Sequence, residues 1–369
     1  MMKRAFAIAL VLCLTLSLSI PALAAGSGMS NFQKTDTYSN QFADVSDSHW
    51  AASSVKLCYE YGLMKGAASD RFNLEGNLTL AEAIVMADRI HEIYTTGQST
   101  ISNGTPWYQP YVDYAVENNM IADGAFSDYT VKATRAQMAQ LFYNALPAEE
   151  LPAINAVSSI PDVASSDACY AAVTALYAAG VLTGSDMYGT FHPDDNIKRS
   201  EAAAILTRMA LSDQRKTVVL MKQVEYENMS LTVPQDAEAG DSSGLYTLMS
   251  QRNGFGALVG EYTDSTFEGV EITFFTPDEL EQILIEGFAK FGLIINSTGT
   301  TKVTFGSLTA YRTTGTFTLD GMQLDSVFYI YLSGDRLFIV CLLAYQNDTV
   351  LTNMANGLRI DGYAASPQL

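Results

Sequence analysis

Histidine, cysteine and cationic side chains are all scarce in this 369-residue chain, and each shortage excludes a class of function. The only histidines are His49, His91 and His192. All three precede the last third of the chain, so Cys341 and the serines near it have no imidazole base in their own region, and no spacing suits a metal. The four cysteines are Cys13, Cys58, Cys169 and Cys341. With Cys13 in an N-terminal apolar run, three scattered thiols remain, which is no disulfide framework. They are expected to act as small buried hydrophobes. Lys and Arg total 21 against 40 Asp and Glu, a formal charge of −19. That balance disfavours nucleic acid and anionic membrane as partners. There is no phosphate-cradling glycine loop, and Asp194-Asp195-Asn196 lacks the glycine and distant glutamate of a calcium loop. No cofactor and no metal are expected.

Long apolar runs are equally rare. Residues 5–20 form one, preceded by Met1-Met2-Lys3-Arg4 and followed by Pro21-Ala22-Leu23-Ala24-Ala25. This pattern predicts a signal peptide over residues 1–24. It falls short of the roughly 20 residues that span a bilayer. Nothing later replaces it, so the mature chain is expected to be exported without membrane insertion and retained only by what it binds.

What is abundant is repetition. Thr79-Leu80-Ala81-Glu82, Thr134-Arg135-Ala136-Gln137 and Lys198-Arg199-Ser200-Glu201 each open an apolar-periodic helix, and each follows a shorter helix ending at Gly62, Asn119 or Gly180. Gly and Asn suit the left-handed residue beyond a helix end. In that register Val55, Val112 and Val173 coincide, as do Leu63, Met120 and Val181. Offsets four, seven, eight and eleven of the second helix are apolar in every copy: Ala83, Met86, Ala87 and Ile90; Met138, Leu141, Phe142 and Ala145; Ala202, Ile205, Leu206 and Met209. These stripes predict a small core shared by three helices. Trp50 and Trp107, the chain's only tryptophans, share one position before the first helix. Asp44 and Asp162 share another, where the second copy has Ile101.

Thr79 with Glu82 and Thr134 with Gln137 are capping boxes, and Lys198 breaks the pattern in the third copy. Arg135 and Arg199 oppose the helix dipole at a first turn, which costs about 0.3–1 kcal/mol. Helix-start amides beside a guanidinium suit an anion, above all a carboxylate. The alternative is an arginine packed over apolar surface or paired with an acidic side chain.

These residues resemble the S-layer homology (SLH) family. The likeness is carried by His49-Trp50-Ala51 and Phe72 in the first copy, by Trp107-Tyr108-Gln109-Pro110-Tyr111-Val112 in the second, and by Phe191-His192-Pro193 with Ile197-Lys198-Arg199-Ser200-Glu201 in the third. It implies an all-α, pseudo-threefold domain that binds secondary cell-wall polysaccharide, an acidic and often pyruvylated peptidoglycan-linked polymer. That would place the protein in the cell wall or surface layer of a Gram-positive-type bacterium. Carried over residue by residue, Arg135 and Arg199 would contact the acidic group, Trp50 and Trp107 would face sugar rings, and Asp44 and Asp162 would order the grooves. For the tryptophans a core-anchor role stands beside the sugar role. Leu80 replaces the motif arginine in the first copy, which predicts a weak or silent groove there.

The expected layout is a linker over 25–40, repeats at 41–100, 101–150 and 151–213, a linker over 214–228, an α+β domain over 229–362 and a tail over 363–369. In the α+β domain, strands are predicted at 229–233, 270–275, 303–314, 324–332 and 336–345. A capped helix runs from Thr276 to Gly292, turns fall at Asp320-Gly321 and Ser333-Gly334-Asp335, and a last helix covers 348–356 before Leu358-Arg359-Ile360. One antiparallel sheet covered by helices results. The order is similar to Mog1/PsbP-like domains. The expectation is therefore a multidomain, non-enzymatic surface protein presenting a binding module. Its alternatives are a wall-attached hydrolase, which needs a carboxylate pair facing a cleft, and a lattice component that associates with surface-layer proteins.

Overall fold

The computed structural model describes residues 28–367 except 243, 251, 253, 290–292 and 320. The predicted signal peptide, the helix end at Gly292 and Asp320 of one turn lie outside the described residues. The chain divides into two compact units. The first holds the described residues through Pro152 together with Ala171–Leu182 and His192–Lys216; the second holds Ala153–Tyr170, Thr183–Phe191 and everything from Thr217 onward. The third repeat is thus shared between them.

Three helix pairs make up the repeat region. They are α1 (Ala52–Glu60) with α2 (Leu80–Thr96), α3 (Gln109–Glu117) with α4 (Arg135–Asn144), and α5 (Tyr170–Ala178) with α6 (Arg199–Ala210). Gly62, Asn119 and Gly180 all adopt left-handed backbone, at φ 67°, 57° and 73°, as their positions after α1, α3 and α5 require. All twelve stripe residues are buried, eleven within α2, α4 and α6 and Ala145 at the C-cap of α4, and α2 packs on both α4 and α6.

The first unit closes through a ring of backbone hydrogen bonds. The Leu78 amide donates to the Ile197 carbonyl (3.0 Å), Ile197 to Ala133 (3.1 Å) and Ala133 back to Leu78 (3.0 Å). These residues immediately precede the caps Thr79, Thr134 and Lys198. Around the ring, the first two amides of each second helix dock on the loop of the next copy. Leu80 and Ala81 donate to Val131 and Tyr129, Arg135 and Ala136 to Asp195 and Pro193, and Arg199 and Ser200 to Gly76 and Leu74, at 2.8–3.0 Å. Helix starts that would otherwise carry orphan donors are satisfied by a neighbour's carbonyls.

The second unit is built on a curled antiparallel sheet of eleven strands in the order β1-β2-β10-β11-β6-β7-β8-β9-β5-β4-β3. The strands are β1 (Met221–Tyr226), β2 (Met229–Pro234), β3 (Ala237–Ser242), β4 (Leu245–Ser250), β5 (Gly256–Thr263), β6 (Ile294–Phe305), β7 (Leu308–Leu319), β8 (Met322–Ser333), β9 (Arg336–Ala344), β10 (Arg359–Ile360) and β11 (Tyr363–Pro367). Alternation along β8 divides the core between two faces. Val327, Tyr329 and Tyr331 join a cluster containing Val350, Leu351 and Met354 of α8 (Asp348–Gly357). Phe328, Ile330 and Leu332 join one containing Leu280 and Leu284 of α7 (Pro277–Ala289).

Several strand expectations need correction. Residues 270–275 hold only a short 3-10 turn at Ile272–Phe274, because the chain must redirect into the Thr276 cap of α7. The expected strand 303–314 is the β6–β7 hairpin, turned at Gly306 (φ 59°). Residues 214–228 contain β1 rather than a linker, and the expected tail contains β11, which pairs with β6 and β10.

Candidate functional site

The six residues singled out in the sequence fall into three situations. Arg199 is 7% exposed. Its Nε donates to the Phe72 carbonyl (2.8 Å), its Nη2 to the Lys65 carbonyl (2.6 Å), and its guanidinium lies 5.0 Å from the centre of the Phe72 ring. Glu82 approaches Nη1 at 4.0 Å. Arg135 is mostly covered and donates to Glu201 Oε1 at 2.6 Å. The expectation of solvent-open guanidinium groups beside free helix-start amides is therefore corrected. The amides are taken by neighbouring carbonyls, and both arginines are held at the junctions between copies.

A sequence signal for this was present and unread. Each arginine reaches the third-position acid of the next second helix: Arg135 meets Glu201, and Arg199 faces Glu82. Where Leu80 replaces arginine, the corresponding position is the neutral Gln137. The missing cation and the missing acid belong to the same junction. Glu201 also caps its own helix, accepting from the Lys198 amide through Oε2 at 2.9 Å, so half of the third capping box survives.

Asp44 and Asp162 do equivalent work. Asp44 accepts from the Phe72 and Asn73 amides at 2.8 and 2.6 Å, and Asp162 accepts from the Phe191 amide at 2.9 Å. Burial works against the Asp44 charge, but the amides of Phe72, Asn73 and Leu74 outweigh it and hold the carboxyl below its ordinary range. Each aspartate fixes a loop whose next residue, Asn73 or His192, has φ of 65° or 57°.

Trp50 and Trp107 stand apart. They are 62% and 41% exposed, which removes the core-anchor role. Trp50 lies 5.7 Å from His49, whose Nδ1 accepts from the Ala51 amide. Trp107 meets Tyr108 edge-on at 5.6 Å, Tyr108 meets Tyr129 at 5.6 Å, and Phe126 meets Tyr129 at 6.0 Å. The Tyr129 carbonyl receives the Ala81 amide. The junction with Leu80 thus carries an extended aromatic surface, which alignment on the arginine position could not reveal. Tyr108 follows Trp107 directly and was the available clue. Aromatic faces of this kind suit the apolar faces of sugar rings, with polar edges left for hydroxyls.

Cys58, Cys169 and Cys341 are buried and form no disulfide among the described residues. Burial raises the Cys58 thiol to about 12, and its Sγ donates to the Ala203 carbonyl. His91 bonds the Tyr114 hydroxyl through Nδ1 at 2.8 Å. In the second unit Glu279 caps α7 through Thr276, Glu286 accepts from Gln282 and Glu281 from Thr300.

The S-layer homology domain model matches residues 41–84 and 159–203. The intervening copy, which has Ile101 in place of the groove aspartate, falls outside both matches. No curated protein matches the chain. Among solved structures, the chain is similar to cyanobacterial PsbP (CyanoP) from Synechocystis sp. PCC 6803, at 6% identity over 38% of this chain and 92% of that one, with a TM-score of 0.33. It is also similar to LpqN of Mycobacterium tuberculosis, described as involved in cell envelope biogenesis, at 18% identity over 40% and 92%, with a TM-score of 0.25. SLH domains indicate attachment at the cell wall or surface. No helix among the described residues is long and apolar enough to cross a membrane.

Proposed function

We propose that this chain is an exported, non-enzymatic surface protein, held without covalent bonds on an acidic secondary cell-wall polysaccharide, with the second unit as its displayed binding module. In this reading all three copies are SLH repeats arranged with pseudo-threefold symmetry. Support comes from the closed Leu78–Ile197–Ala133 hydrogen-bond ring and from the equivalent docking of every second helix on the next loop. The observation that carries the reading is the exposure of Trp50 and Trp107 at one repeat position. A buried indole would serve folding; an exposed one is available for contact. Polymer contact is assigned to these two rings and to Tyr108 and Tyr129. Arg135, Arg199, Asp44 and Asp162 hold the grooves in shape from behind.

The test is co-sedimentation of the full chain with purified cell-wall sacculi. The Trp50→Ala, Trp107→Ala double variant is expected to stay in the supernatant while keeping the wild-type melting temperature. Undiminished sedimentation of that variant would refute the assignment. Ordered self-association without any sacculi would favour lattice assembly instead.

A further inference from the structure

The second unit contains a polar cavity of about 370 Å³ between α8 and the sheet. Its floor is set by strand alternation. Arg312, Thr314 and Thr316 of β7 stand opposite Tyr329, Val327 and Asp325 of β8, so all six share the face covered by α8. A bulge in β6 between Ser297 and Gly299 brings Thr298 to the rim. Its Oγ1 lies 3.0 Å from the Thr314 carbonyl and 2.9 Å from the Thr314 hydroxyl. Bulges re-aim side chains in this way beside binding sites. The roof is the helix. Asp348, Thr352 and Asn356, spaced four apart on one flank of α8, all line the cavity.

Three charges meet here without cancelling. The ion pairs of this unit that involve Arg336 reach Glu227 and Glu261. Among the described residues Arg312 closes no ion pair, although Asp325 and Asp348 line the same cavity. The guanidinium stands near the buried Tyr329 hydroxyl, where it opposes the rise that burial imposes on that group, and Arg312 also lines the cavity. The planar fork of Arg312 matches a carboxylate.

We propose that this cavity binds a small zwitterion, an amino acid or short peptide with free termini, its carboxylate on Arg312 and its ammonium between Asp325 and Asp348. The threonine hydroxyls bond the backbone between the two termini. The volume falls within the range for small-molecule sites, and a ligand carrying both charges satisfies all three side chains at once. A simple anion would satisfy Arg312 and be repelled by the two aspartates. This inference does not depend on how the protein is attached to the wall.

Titration calorimetry of the full chain with a set of free dipeptides bearing small, acidic and basic side chains tests it. Saturable binding of at least one dipeptide is expected, weakened tenfold or more by N-acetylation and by C-amidation. Arg312→Gln should weaken the free dipeptide by at least tenfold. Asp348→Asn, at an exposed position, should weaken the free dipeptide but leave the N-acetylated one unchanged, with the melting temperature measured beside it. A merely structural role would not produce that split. Absence of saturable binding across the set, equal binding of blocked and free peptides, or binding of glucuronate in preference to every dipeptide would overturn the proposal. Release of free amino acids during incubation would replace it with a hydrolytic role.

Discussion

At the residue scale, the arginine that looks most like a ligand contact does structural work. Arg199 has exchanged water for two backbone carbonyls and an aromatic face. Arg199→Ala should therefore destabilise the first unit by about 2–4 kcal/mol, measured by urea unfolding, since the carbonyls and the cavity remain. Trp50→Ala, at an open surface, should change stability by less than about 0.5 kcal/mol. The opposite ranking would exchange the roles of these residues. Asp88 makes a third case. It is fully buried, with both carboxylate oxygens lacking a hydrogen-bond partner among the described residues. Burial, and then the nearby Glu92, raise its carboxyl to about 9 against the opposing pull of Arg89. The folded state keeps a proton that the unfolded chain releases near pH 4, so stability declines as pH rises from about 4 to about 9. Asp88→Asn should flatten that slope and gain more than about 1.4 kcal/mol at pH 8, the worth of one pKa unit. An unchanged slope in thermal melts at pH 5 and pH 8 would show that Asp88 does not titrate in this way.

At the element scale, legibility followed periodicity. The stripes of α2, α4 and α6 recur at helical spacing and are buried without exception, and the left-handed residues at 62, 119 and 180 were marked by their types. The strands that went unread lack such a signal. β3 has the sequence Ala-Glu-Ala-Gly-Asp-Ser and is a strand because it pairs with β4 at the sheet edge; pairing, not propensity, makes it. Residues 303–314 read as one strand because β-branched residues flank the hairpin on both sides of Gly306. That glycine has φ 59°, and a Cβ there would come within 2.7 Å of the Tyr363 ring. Gly306→Ala should cost about 1 kcal/mol for the left-handed backbone, and it should loosen β11 first, seen as faster amide exchange at residues 363–366. Equal exchange along β11 would mean that Tyr363 yields without strain. The residues of the candidate site were half legible: the type and shared repeat position of Trp50 and Trp107 single them out, and the structure leaves both exposed. The fixed loops and occupied helix-start amides depend on which copy follows which around the ring, and a linear alignment does not carry that order.

At the scale of the whole molecule, charge constrains the binding mode. On the proposed attachment to an acidic polymer, a chain of −19 gains nothing from general attraction, and contact would come from local stacking and hydrogen bonds at the exposed aromatic rings. Added salt would then screen repulsion rather than attraction, and sedimentation with sacculi should hold or improve between 50 and 500 mM salt, concentrations chosen to bring the screening length from about 14 to about 4 Å. The most direct measurement is that of the full chain with Trp50 and Trp107 both replaced by alanine, sedimented with purified sacculi beside the wild type. The account predicts wild-type protein in the pellet and a folded double variant left in solution. A folded double variant that pellets as fully as the wild type would contradict it.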